Sequence, residues 1–250
     1  MNEIYNFNPS GFRGITIIGD IHGNVEPFRS IVRRALRKKF FVLALGDIID
    51  YGLNSTSVVS DMGNLISKDR GLSLRGNHEN KFQKYLRQLA DGDVQVKLKG
   101  GVLQTLAELE SMTKEKRQST LTMMEWVFEQ CPLVFCSHNL TATHAALEPS
   151  FWEDKRMTKA VRNAAMYGQL KREQGEFPQR IYEWVNNIPA GEIVVVGHQV
   201  RSTEEPLIEQ NDQGGKAIFL DGGSSKGGNL FSMDFILEDD RYVPAGWKMN

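Results

Sequence analysis

Seven residues of this sequence could together carry out metal-assisted chemistry at phosphorus: Asp20, His22, Asp47, Asn77, His78, His144 and His198. Carboxylate, imidazole and amide-oxygen donors, with no thiolate among them, suit borderline-hard divalent ions such as Mn²⁺, Fe²⁺ or Zn²⁺, with Ni²⁺ a further candidate. Two such ions about 3.5–4 Å apart can clamp both the attacking and the leaving oxygen of a phosphoryl displacement. One carboxylate must bridge them, to hold two positive charges close together. The chain has five histidines. All but His138 fall in this set. Asp20 and His22, two positions apart, point to the same side of an extended segment.

Taken singly, each residue has a plainer reading. Gly-Asp after a strand is a common turn, a lone histidine is more often a hydrogen-bonded core residue than a ligand, and an asparagine after glycine is ordinary turn chemistry. The order of the set, with each member at the end of an expected strand, sets it apart. Ile15–Ile18 is a short apolar run ending in Gly19-Asp20, which reads as a buried strand entering a turn. Asn24, as cap, and Pro27, in the first turn, predict a helix with Phe28, Ile31, Val32, Ala35 and Leu36 on one face. Phe40–Leu45 predicts a second buried strand running into Gly46-Asp47. Val58, Val59, Met62, Leu65 and Ile66 predict another helix, and Leu72–Leu74 a third strand before Arg75-Gly76-Asn77-His78. Strand, helix, strand, helix, strand is the rhythm of a parallel sheet, which binds ligands outside the carboxyl ends of its strands.

Phe82, Tyr85, Leu86 and Leu89 mark a helix after that turn, and residues from about 101 to 131 read as a helical insertion beside the sheet. Leu133–Ser137 and Leu140–His144 predict a hairpin. A helix is expected over roughly Lys155–Tyr167 and a shorter one after Pro178. Ile193–Val196 predicts a strand ending in Gly197-His198, and Ala217–Leu220 and Leu230–Phe235 complete a β-rich second half. Without repeats or a linker, the simplest organisation is one domain over residues 1–250.

Gly19-Asp20-Ile21-His22-Gly23, Gly46-Asp47-Ile48-Ile49-Asp50, Gly76-Asn77-His78-Glu79, Thr143-His144-Ala145 and Gly197-His198 together resemble the calcineurin-like metallophosphoesterases, in the form of their phosphoprotein-phosphatase branch. Ala164-Ala165-Met166-Tyr167-Gly168 and Leu220-Asp221-Gly222-Gly223 are similar to bacterial diadenosine-tetraphosphate hydrolases and to the phosphatase module of bacterial polynucleotide kinase-phosphatases. The resemblance implies an α/β (α+β) fold, a four-layer αββα sandwich of two mixed sheets flanked by helices. It implies two divalent ions, with Mn²⁺ first. Asp20, His22 and Asp47 would hold one, and Asp47, Asn77, His144 and His198 the other. A hydroxide bridging the ions would attack phosphorus, His78 would protonate the leaving oxygen, and Asp50 would orient His78 and favour its cationic form. Asp221 would play a supporting part.

One departure bears on substrate. Where the family continues Asp-Arg-Gly, this chain reads Asp50-Tyr51-Gly52. An arginine there would fork onto phosphate oxygens, whereas a tyrosine offers one hydrogen bond and no charge. Arg75, Lys81 and Arg162 are candidate replacements. Ala146 stands where the family often has glycine. The basic run Arg29, Arg33, Arg34, Arg37, Lys38, Lys39 could track a nucleic-acid backbone, but a solvated helix face is the favoured reading.

The resulting expectation is a phosphoesterase acting on a phosphorylated small molecule or nucleotide, either a dinucleoside polyphosphate or a phosphorylated polynucleotide end. A protein serine/threonine phosphatase is the alternative, and a catalytically decayed binding protein a further one. The formal net charge of −1 over 250 residues argues against bulk, nonspecific nucleic-acid binding. Two cysteines, Cys131 and Cys136, are too few for a disulfide framework and read as reduced, half-buried thiols. With no signal-like start and no membrane-length apolar run, the expectation is a soluble cytoplasmic protein without membrane contact or an obligate protein partner.

Overall fold

The computed structural model describes residues 3–93, 95, 96, 98–171 and 178–250. Its elements follow in chain order. Strand β1 (Ile4–Asn6) and β2 (Gly14–Ile18) lead into α1 (Val25–Arg37), β3 (Phe40–Ala44), α2 (Ser55–Ile66), β4 (Gly71–Ser73) and α3 (Asn77–Asp91). The expected insertion contains two helices, α4 (Val102–Glu110) and α5 (Lys114–Gln130). Then come β5 (Val134–Ser137), β6 (Leu140–Thr143), α6 (Phe151–Asp154), α7 (Lys159–Tyr167), β7 (Gln169–Lys171), β8 (Gln179–Ile181), a 3₁₀ turn at Glu183–Asn187 and β9 (Ile193–Val196). Strands β10 (Leu207–Gln210), β11 (Lys216–Phe219), β12 (Phe231–Glu238) and β13 (Arg241–Met249) close the chain, with a 3₁₀ turn at Ser224–Lys226.

Two mixed sheets result. One runs β13-β12-β2-β3-β4 and the other β1-β5-β6-β9-β11-β10. In the first, β2, β3 and β4 are parallel. In the second, β6, β9 and β11 are parallel. The period-2 alternation of a strand explains how both faces are filled. Ile15, Ile17, Phe41, Leu43, Ile193 and Val195 point between the sheets. Val42 and Ala44 point outward under α1, α2, α4 and α5, while Val194 and Val196 point outward under α6, α7 and the first 3₁₀ turn. Four layers, helix-sheet-sheet-helix, are the expected fold. Among the described residues no helix is long and apolar enough to cross a membrane.

Several local expectations are corrected. Residues after Pro178 form β8, paired antiparallel with β7, before the 3₁₀ turn. The helix expected over Lys155–Tyr167 is split, because Lys155 adopts φ +54 and ends α6. Asn24 does not cap α1 with its side chain. Its amide donates instead to Ile21 O at 3.0 Å and Ser224 O at 3.2 Å, tying the loop after β2 to that after β11. The cysteines are buried, not half-buried.

The basic run on α1 is only partly a solvated face. Arg29 pairs with Asp61 at 2.7 Å. Buried Asp234, on β12, accepts from Lys38 Nζ at 2.8 Å, Arg34 Nη2 at 3.3 Å and Thr16 Oγ1 at 2.7 Å. This pins α1 to the sheet that carries Asp20. Asp234→Ala would leave the half-buried Arg34 guanidinium with only Ser232 Oγ as acceptor and the buried Thr16 hydroxyl without its acceptor. Urea unfolding should show a loss of about 2–3 kcal/mol, toward the low end of values for breaking a buried ion pair because Lys38 is half exposed. A loss below about 0.5 kcal/mol would match an ordinary surface substitution instead.

Candidate metal centre

Six parallel strand ends, three from each sheet, feed one cleft. β2 runs into Asp20 and His22, β3 into Asp47 and Asp50, and β4 into Asn77 and His78 at the start of α3. From the second sheet, β6 ends at His144, β9 at His198 and β11 at Asp221. The loops approach so closely that side chains are excluded at several junctions. A Cβ on Gly19 would collide with Leu220 O, and one on Gly197 with Asp20 Oδ1. His22, Asp47, Asp50, Tyr51 and His198 all have positive φ, between 46° and 74°. Each such non-glycine conformation costs on the order of 1 kcal/mol or more, so the surroundings must impose it.

Glu79 supplies much of that constraint. Fully buried at the third position of α3, it accepts backbone N–H groups from Asp47 at 2.9 Å, Ile48 at 2.9 Å, Ile49 at 3.4 Å and Gly76 at 3.0 Å. One carboxylate thereby fixes the loops after β3 and β4 together. Burial and the nearby Asp47 push its pKa up, to about 8, while the N–H donors pull toward the anion.

Asp47 lies at the centre. Its Oδ1 accepts from His78 N at 3.0 Å. Its Oδ2 faces His144 Nε2 at 3.5 Å, and His22 Nε2 and His78 Nε2 at 3.9 Å each. Burial alone would raise this carboxyl; positive charge on the imidazoles that face it, His144 first and then His78 and His22, would outweigh burial and hold Asp47 below the usual carboxylate range.

The tautomers follow from the other ring nitrogens. His22 Nδ1 lies 3.0 Å from Ile49 O and His144 Nδ1 2.9 Å from Leu45 O. A carbonyl only accepts, so both protons sit on Nδ1 and both Nε2 lone pairs face inward. His144 Nε2 therefore meets Asn77 Oδ1 at 3.1 Å and His198 Nδ1 at 3.0 Å as well as Asp47. With its proton on Nδ1, His144 Nε2 faces Asn77 Oδ1 and Asp47 Oδ2 acceptor to acceptor, a crowding that a shared cation relieves, while His198 Nδ1 donates or accepts according to its own tautomer. Ligand atoms bonded to one ion at about 2.0–2.2 Å sit at comparable mutual distances. His22-Asp47-His78 and Asp47-His144-His198 each place candidate ligand atoms within 4.8 Å of one another. Asp20 accepts from His198 N at 3.0 and 3.1 Å, and burial, then Asp221 and Asp47, push its carboxyl well up. Buried, mutually close carboxylates of this kind are what a divalent ion compensates.

His78 differs from the other imidazoles. Its Nδ1 lies 2.6 Å from Asp50 Oδ2. Burial opposes its charge, but Asp47 and Asp50 prevail and raise it to about 9. Asp50 is held by Thr105 Oγ1 at 2.7 Å, and its N–H donates to Ser55 Oγ at 3.0 Å. The α4 residue Thr105 thus reaches from the insertion to the residue behind His78. His198 is pushed down to about 3 by burial and by His144, with Arg180 adding to the effect.

Residues 14–219 match the calcineurin-like phosphoesterase family. The chain belongs to this family. Among curated proteins it is 24% identical over 232 residues to the bis(5′-nucleosyl)-tetraphosphatase PrpE of Halalkalibacterium halodurans, covering 88% of this chain and 89% of that protein. It is 25% identical over 246 residues to PrpE of Bacillus mycoides, covering 92% and 93%. A solved candidate diadenosine tetraphosphatase superposes with a TM-score of 0.65 at 23% identity, over 98% of this chain and 99% of that one, a likeness of fold.

The named phosphate-holding candidates fare differently. Arg162 forks onto Glu3 at 2.6 and 2.7 Å, which takes it out of the cleft set. Arg75 donates to Phe128 O at 3.0 Å, at the end of α5. Asp221 is brought to the cleft, where its Oδ1 accepts from Gly223 N at 2.9 Å. Tyr51 stands over it, 5.1 Å from the His22 ring and 5.5 Å from that of His78. Thr105, Ser224 (its Oγ donates to Asp20 O at 2.5 Å) and Arg180, which donates to Tyr167 O at 3.2 Å, were not singled out from sequence, and Glu79 stood there only as the last residue of a motif, without a role. Of these, only Glu79 had a local signal, as the acidic third residue of a helix start. Glu79→Gln would turn an amide N–H₂ toward backbone donors. A stability loss of about 2–3 kcal/mol is expected, with Mn²⁺ binding weakened roughly tenfold or more by calorimetry. Unchanged Mn²⁺ affinity would dissociate Glu79 from the metal centre.

Proposed function

We propose that this chain hydrolyses a nucleotide-type phosphoanhydride, with dinucleoside polyphosphates as the leading substrate class and phosphorylated polynucleotide ends as the second. The observation that carries this is the inward convergence of Asp47 Oδ2, Asn77 Oδ1 and the lone pairs of His22 and His144. The near full-length likeness to proteins named as bis(5′-nucleosyl)-tetraphosphatases directs it to nucleotides. Asp20, His22 and Asp47 would hold one divalent ion, and Asp47, Asn77, His144 and His198 the second, with Mn²⁺ our choice for both. Bound there, the ions would supply an activated water and positive charge for the phosphoryl oxygens.

The chain's own groups do the rest. Glu79 keeps the Asp47 loop in its strained form, so the ligands need no rearrangement. His78 could by geometry be a ligand, but its pairing with Asp50 favours the imidazolium, which presents a proton on Nε2 toward the leaving oxygen. Arg180, held to Tyr167 O at 3.2 Å and bearing on His198, is a described cation available to meet phosphate oxygens on the second sheet's side.

With the Mn²⁺-loaded full chain, a panel of dinucleoside tetraphosphate, 3′-phosphate and 2′,3′-cyclic-phosphate oligonucleotides and a phosphopeptide should give the highest kcat/KM on the first. Turnover of phosphopeptide alone would overturn the proposal in favour of a protein phosphatase. Asp47→Asn should abolish turnover throughout.

His78→Ala should slow a poor, alkoxide leaving group by roughly 10²–10⁴-fold and p-nitrophenolate much less. Because His78 loses its proton only as pH rises through about 9, the wild-type rate on the poor leaving group should fall on the alkaline side with a limb that the variant lacks. Equal losses on both leaving groups would remove His78 as the acid.

A further inference from the structure

Tyr51 is built into the cleft as a fixed, neutral wall. Its N–H donates to Gly101 O at 3.1 Å, its φ is +65°, and Gly101 lies so close that a Cβ there would collide with the Tyr51 ring. The ring contacts His22 edge-on at 5.1 Å and His78 at 5.5 Å, yet the residue is 39% exposed. Its hydroxyl makes no hydrogen bond among the described residues. The cleft it stands over is built from Asp20, Asp47, Asp50, Glu79 and Asp221, all buried. Arg75 and Arg162 are engaged with Phe128 O and Glu3. Among the described residues, the side of the cleft near His78 therefore offers an uncommitted phenol, with Arg75 and Arg162 committed elsewhere.

Resting on the phosphoesterase reading above, we propose that Tyr51 is a specificity-determining residue that makes this site prefer phosphorus carrying one negative charge over the dianionic terminal phosphate of a monoester. A diester or an internal phosphoanhydride has one such charge. Bound ions would offset the ligand carboxylates, but a dianion still brings a second charge that no side-chain cation at position 51 meets, next to the carboxylates that are not metal ligands. A phenol can donate one hydrogen bond to a non-bridging oxygen but cannot neutralise that second charge. A singly charged phosphorus also carries substituents on two sides, and the exposed ring beside His78 gives the second one an apolar surface. The preference follows from what occupies position 51, so a cation there should reverse it.

The test uses the Mn²⁺-loaded full chain above the second phosphate pKa of about 6, so that monoesters are dianions. Bis(p-nitrophenyl) phosphate and p-nitrophenyl phosphate share a leaving group and differ by one charge at phosphorus. The wild type should favour the diester in kcat/KM by roughly tenfold or more, Tyr51→Phe should keep that ratio, and Tyr51→Arg should move it at least tenfold toward the monoester. Calorimetric binding of methyl phosphate against dimethyl phosphate gives a readout independent of turnover. Tyr51→Arg should tighten the dianion roughly tenfold and leave the monoanion within about twofold. A wild-type preference for the monoester, or Tyr51→Arg leaving both ratios unmoved while metal content and circular dichroism match the wild type, would overturn the proposal. If the wild type turned over neither ester, the phosphoesterase reading would fall, and the binding ratios would still decide the part played by Tyr51.

Discussion

One buried carboxylate organises the cleft. Glu79 gathers backbone N–H groups from two loops that belong to different strands, and the conformations of Asp47, Asn77 and His78 depend on that grip. A water molecule could satisfy the same donors but would not hold them at fixed relative positions. The carboxylate sits on the first turn of α3, where the helix dipole and the free N–H groups of the helix start favour negative charge. The glycines at the loop crossings permit the approach, and Glu79 fixes it. At Gly76, a Cβ would collide with Asp47 Oδ1, so the two loops share a space that only glycine leaves open.

Outside this anchor, the cleft is a graded set of imidazoles. His22 and His144 each commit Nδ1 to a carbonyl and turn a lone pair inward. His78 commits Nδ1 to a carboxylate, which favours its positive charge. The partner of the far nitrogen thus sets which protonation state each ring favours. Thr105 and Ser55 extend this control one step further by fixing Asp50, so α2 and α4, in the helical layer outside the first sheet, bear on the environment of His78.

What could be read in the sequence follows from how local each cause is. The strands ending at Asp20, Asp47 and His198 were legible because buried parallel strands are short apolar runs followed by Gly-Asp or Gly-His. The same regularity gave the four-layer fold and the convergence of the seven residues. β1, β10 and β13 were missed because they lie at sheet edges, where half-exposed residues such as Tyr5, Ile208 and Trp247 break the apolar pattern. The β12–β13 turn uses Asp239-Asp240, both at positive φ, in place of the asparagine-glycine pair that announces a hairpin. Thr105, Ser224 and Arg180 could not be found from spacing at all. Each acts through a contact with a residue far away in the chain, and threonine, serine and arginine are too common on surfaces to stand out. Arg162 was misjudged for the same reason, since Glu3, its partner, is 159 positions away.

The two sheets meet at the cleft with different donors. Asp20, His22, Asp47 and Asn77 come from one, His144 and His198 from the other. Any cation shared among them would also act as a rivet through the sandwich, since sliding one sheet past the other would tear its coordination shell. The free energy of holding the ion then becomes part of the cohesion between the two halves of the molecule. Chelation would accordingly register far from the cleft, as faster amide exchange in the inter-sheet strands that carry Leu43 and Val195.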